Sequence, residues 1–116
     1  MALSRLAREF AAEIANHDWS DAPYRADRAG HDRTKDRTSS EQLSPGSTNC
    51  LRLNVMWVTA QVLGHADPNF NVYEFADACG IEIKTQHGQL NGMIECGVRQ
   101  VNGRYCRPGT CDAPID

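Results

Sequence analysis

Long apolar runs are missing from this chain. No stretch of about 18 apolar residues occurs, which excludes a membrane-spanning helix. The N-terminus lacks the continuous apolar core of a secretory signal peptide, so a cytoplasmic protein is expected. Tight metal-binding pairs are missing as well: five cysteines are present, but no two are spaced C-x-x-C. There is no glycine-rich phosphate loop after a strand, no G-x-S-x-G and no shaped cluster of carboxylates. No catalytic residue is assigned, and an enzyme is not expected. Positive charge is also short. Twelve Lys and Arg stand against fifteen Asp and Glu, for a net charge of −3. That balance argues against a broad phosphate-binding surface.

What is present is unevenly distributed. Leu3, Leu6, Phe10 and Ile14 recur at helical spacing, so residues 1–17 read as an amphipathic helix with that stripe as its inner face. Such a helix has to bury its stripe on its own domain or on a second copy. From Asp18 to Asn49 apolar residues nearly vanish, and alternating Asp and Arg give way to Ser, Pro and Gly. Residues 18–49 therefore read as a polar linker or arm, with too little apolar surface to offset its ordering entropy. Arginines such as Arg25, Arg28, Arg33 and Arg37 would let such an arm track phosphates, but Asp27, Asp32 and Asp36 cancel most of that charge.

Residues 50–108 carry the core. The run LRLNVMWVTAQVL from Leu51 to Leu63 reads as a buried helix, with Leu51, Val55, Val58 and Val62 on one face. Gly64 and Pro68 follow as breakers. Asn71 is placed to cap a helix, with Glu74 at the capping-box position, and Gly80 ends it. A second helix is expected from Lys84 to Glu95, with Leu90, Met93 and Ile94 inward and Gly97 as its stop. Asn102-Gly103, between Val98–Val101 and Arg104–Arg107, is a strong hairpin signal. Residues 109–116 are a tail. The expected class is mainly α with a small β-hairpin (α+β).

Helix, turn, helix and hairpin in that order describe a winged helix-turn-helix. EFADACGI resembles the second helix and turn of winged helix regulators of the multiple-antibiotic-resistance-regulator type. The interval from Gly80 to Gly97, and Thr85 at the start of the next helix, are similar too. Gln86, Gly88 and Gly92 depart from the pattern, and each glycine costs about 1 kcal/mol of helix stability relative to Ala. The resemblance covers about half the chain and implies binding of duplex DNA by a small transcriptional regulator. Its outer helix face would carry Lys84, Thr85, His87, Gly88, Asn91 and Gly92, and its wing Arg99, Arg104 and Arg107. On that face Asn91 would read adenine and Lys84 a phosphate or guanine. A homodimer formed through the N-terminal helix would double the phosphate contacts.

A protein partner is the competing expectation. From Cys50 onward 5 Lys and Arg face 7 Asp and Glu, so the domain is itself slightly acidic. Winged helices also serve as interaction modules, for instance as adaptors or inhibitors in phage–host interference, and fold does not fix function. No cofactor is expected. Cys79, Cys96, Cys106 and Cys111 are the candidates for a zinc-stabilised variant of either reading, with structural thiols as the simpler account.

Overall fold

Ser4 starts the first helix by accepting a hydrogen bond from the Ala7 amide at 3.1 Å. Helix α1 (Arg5–Asn16) follows it. The computed structural model describes residues 3–26, 29 and 41–110. The helix packs on its own domain rather than standing apart, against α2 (Pro45–Ala66) and α3 (Val72–Ala78). Only half of the expected stripe turns inward: Ile14 is buried and Leu3 packs on the core, but Leu6 and Phe10 do not. Ala7, Ala11 and Ile14 are buried, whereas Leu6 is 58% exposed and Phe10 also faces outward. Small residues win the inner face because α3 presents its buried Ala76 there. Two helices with alanines between them approach closely, and larger side chains are displaced to the flank.

Both ends of the polar segment join the folded body. Residues 18–24 fold back as turns, with the Asp18 carboxylate accepting from the Ser20 amide at 2.9 Å. Trp19 Nε1 donates to the Ile14 carbonyl at 2.9 Å, which ties this turn to the end of α1. The Leu43 amide donates to the Ser20 carbonyl at 2.7 Å, so the chain leaves and re-enters the folded body at neighbouring points. Of the basic residues of this segment, Arg28, Arg33, Lys35 and Arg37 lie outside the described residues.

Helix α2 begins at Pro45, within the segment read as polar, because Ser44 caps it and proline occupies the first turn, where its missing N–H costs nothing. It runs 22 residues, through Gly64, and ends at Asp67 just before Pro68. The face it buries holds Met56, Ala60, Gln61, Leu63 and Gly64. The expected inner face is rotated out: Val58 is 72% and Val62 50% exposed. Four elements decide that rotation. Trp57 and Gly64 receive α4 and the hairpin on one side, while Met56 and Ala60 meet α1 and α3 on the other.

Helix α3 follows the sequence closely. Asn71 Oδ1 accepts from the Tyr73 and Glu74 amides at 2.9 and 3.2 Å. Its end is a Schellman turn, with the Ile81 amide reaching the Ala76 carbonyl and the Gly80 amide that of Asp77, each at 3.0 Å. Gly80 holds φ +87°, the conformation this turn demands. Phe75 at its centre is fully buried, worth about 2–3 kcal/mol of transfer free energy.

The helix expected over Lys84–Glu95 is not formed. Only its last turn is helical, as α4 (Met93–Cys96). Residues 83–91 instead fold back on themselves, with Lys84 bridging Leu90 in antiparallel sense. The Thr85 amide donates to Gln89 at 2.7 Å, and the Gly88 amide to Thr85 at 2.9 Å. Gly88, at φ +81°, is the left-handed residue of a three-residue turn of the type-I-plus-bulge kind. Two glycines penalise a helix here, while Ile81 and Ile83 alternate with exposed Glu82 and Lys84 in strand fashion.

The last element is as expected. Strands β1 (Gln100–Val101) and β2 (Arg104–Tyr105) pair antiparallel, Gln100 with Tyr105 and Val101 with Arg104. Asn102 and Gly103 both have positive φ, 53° and 76°, which makes the turn type I′. The fold is therefore mainly α with a small β-hairpin. No helix among the described residues is long and apolar enough to cross a membrane.

Candidate functional site

The hairpin is held to α2 by one side chain that the sequence did not flag. Gln61, buried in the middle of an apolar run, accepts from the Arg99 amide at 2.7 Å through Oε1. Its Nε2 donates to the carbonyls of Arg99 and Cys106, both at 3.1 Å. Since the Cys106 amide also bonds the Arg99 carbonyl, the two strands are tied together where they meet the helix. An amide group suits this position because it matches backbone donor and acceptor at once. The one signal in the sequence was a lone glutamine where the neighbouring positions are apolar.

Two glycines let aromatic rings complete the attachment. A Cβ on Gly97 would lie 1.9 Å from the Trp57 indole, and one on Gly64 would lie 2.4 Å from the Tyr105 ring. Trp57 Nε1 also donates to the Ile94 carbonyl at 2.8 Å, fixing α4 beside α2. Beside this junction a groove of about 590 Å³ runs along α2, lined by Trp57, Val58, Val62, Arg99 and Pro108 among others. On the other side, a cleft of about 660 Å³ opens between the end of α2, the start of α3, Glu95 and strand β2.

The residues expected to contact DNA are distributed as follows. Lys84, Thr85, His87 and Gly88 are exposed, but on the turned-back loop rather than on a helix face. Asn91 is half-buried, and its Oδ1 accepts from the Met93 amide at 3.1 Å, so it caps α4 instead of facing outward to read a base. Gly92 precedes α4 as its N-terminal flank. Arg99 donates through Nε to the Thr110 carbonyl at 2.8 Å, bracing the turn after the hairpin. Arg104 is exposed on β2, and Arg107 is half-buried beyond it. The expected set thus divides between a loop, the residues just before α4 and the hairpin, and shares no single helix face.

Among the thiols, Cys79 and Cys106 are buried, while Cys50 and Cys96 are exposed. Burial pushes the Cys79 thiol up to about 12, with the Arg52 guanidinium opposing weakly. Among the described residues no group of three or more His, Cys, Asp or Glu is arranged to hold a metal, and Cys111 lies outside them.

The cleft has a polar and an aromatic wall. Desolvation, followed by the negative charge of Glu95, lifts the Tyr73 phenol above its ordinary value. Burial pushes the Tyr105 phenol up to about 12. Phe70 meets the Tyr105 ring edge-on at 6.0 Å. Glu95, Tyr73 and Tyr105 were not singled out together by sequence, since 32 positions separate Tyr73 from Tyr105. Compared with protein-family models, curated proteins and solved structures, the chain matches none.

Proposed function

We propose that this chain is a protein-binding module that holds its partner on the outer face of α2. The observation that carries the reading is the exposure of Val58 and Val62, one turn apart, beside a groove walled by Trp57 and Pro108. Apolar side chains projecting next to a groove suit an apolar helix or strand from another protein. The slightly acidic balance of the domain points the same way. Leu6 and Phe10, outward on α1, are the residues by which a second copy would associate.

Duplex DNA is the second reading, favoured by the exposure of Arg104 on β2 beside the type I′ turn, where a wing would meet phosphate. One pair of measurements separates the two. Purified protein is titrated against mixed-sequence fluorescent duplex at low salt, and its complexes in a lysate of its source are captured by cross-linking and identified by mass. The expected result is no duplex binding, and one stoichiometric partner lost in Val62→Asp but retained in Arg104→Ala. Salt-sensitive duplex binding that disappears in Arg104→Ala would overturn the proposal in favour of DNA.

A further inference from the structure

The cleft beside β2 has a composition that the α2 groove lacks: one carboxylate among aromatic rings. Glu95 stands on α4 and lines the cleft together with Tyr73, whose phenol its negative charge helps to lift. Phe70 and Tyr105, at 6.0 Å and near perpendicular, supply ring faces and edges in the same cleft. Tyr105 is in turn seated on Gly64, where a side chain has no room, so its ring is fixed. Arg104 lines the cleft from β2.

We propose that this cleft receives an arginine side chain of the protein partner, stacked among Phe70, Tyr73 and Tyr105 and paired with Glu95; the inference rests on the protein-binding reading above. A guanidinium is planar, weakly hydrated and a fork of donors, so it satisfies a carboxylate and a ring face together. An ammonium meets the carboxylate but stacks poorly. A phosphate would be repelled by Glu95. At about 660 Å³, the cleft has room for the arginine and its neighbours.

The test is fluorescence anisotropy with a labelled hexapeptide containing one arginine, alongside versions carrying lysine or uncharged citrulline in its place. Saturable binding is expected for the arginine peptide, weaker by about tenfold or more with lysine or citrulline and in Glu95→Gln. Glu82→Gln, which removes an exposed carboxylate outside the cleft, is expected to bind as the parent does. Ring-proton shifts of Tyr73 and Tyr105 during the titration report the site directly, and far-UV circular dichroism confirms that each variant is folded. Equal weakening by Glu82→Gln and Glu95→Gln, or no saturable binding, overturns the slot. If the peptide fails while Val62→Asp still disrupts the cross-linked complex, the slot is wrong and the module stands. If no Val62-dependent complex exists either, both are wrong.

Discussion

Two turned-back segments among the described residues, 83–91 and 100–105, differ in what holds them. Each turns at a glycine of positive φ, Gly88 in the first and Gly103 in the second. The second is tied by three Gln61 hydrogen bonds and by the Tyr105 ring packed on Gly64. In the first, residues 84–90 are all exposed, and the hydrogen bonds that close it are local ones within 83–91. One hairpin is thus part of the tertiary structure, and the other is a local fold carried on the surface. The difference teaches that similar turn chemistry yields either a framework or a free-standing loop, depending on whether a neighbouring helix supplies partners.

The strongest way to break the contrast is Gln61→Leu. It leaves the Arg99 amide and the Arg99 and Cys106 carbonyls without this partner near a buried junction, at a cost of about 3 kcal/mol in urea unfolding. Amide exchange at Val101 and Tyr105 is expected to accelerate, with exchange in 83–91 unchanged. Uniform acceleration along the chain would mean that Gln61 is an ordinary core residue. Gly97→Ala tests the same junction from the other side. Its Cβ enters the space of the Trp57 indole, with an expected loss of about 2 kcal/mol.

Gly88→Ala sharpens the comparison by the sign of its effect. At φ +81° a Cβ is strained, so a loss of about 1 kcal/mol is expected, without gain of helical signal. Were residues 84–95 helical in solution, the same substitution would stabilise by about 1 kcal/mol instead. The smallest expected effect is that of pH. The folded Tyr105 phenol ionises near 12, above its ordinary value, so its contribution is complete below about pH 10 and fades as pH rises toward 12. A melting-temperature series from pH 9 to 11.5 is expected to fall, and to fall less in Tyr105→Phe. A parallel decline in both proteins would assign the loss to other groups, among them Cys79.

Much of the fold was legible because it rests on short-range chemistry. Asn71 capping α3, Gly80 ending it and Asn102-Gly103 closing the hairpin each act within a few residues, and each is found where the sequence places it. No helix forms over 84–92, because Gly88, at φ +81°, closes a turn there rather than lying within a helix. The inner faces of α1 and α2 were misread for a different reason. Both helices carry apolar residues on more than one side, so periodicity admits several faces. The bulkier stripe, Leu6 and Phe10 or Val58 and Val62, was read as core and proves to be outside.

The residue sequence by itself determined where helices start and stop and where the last hairpin turns, because capping, proline and left-handed glycine conformations are decided by neighbours along the chain. Which faces are buried, and which groups meet in the cleft, only the tertiary structure decided. Close approach of Ala76 to α1, of Trp57 to Gly97 and of Tyr105 to Gly64 depends on residues distant in sequence fitting together. Packing rewards that complementarity of shape and not hydrophobicity alone. The same packing brings Tyr73, Glu95 and Tyr105 into one cleft from three separate elements.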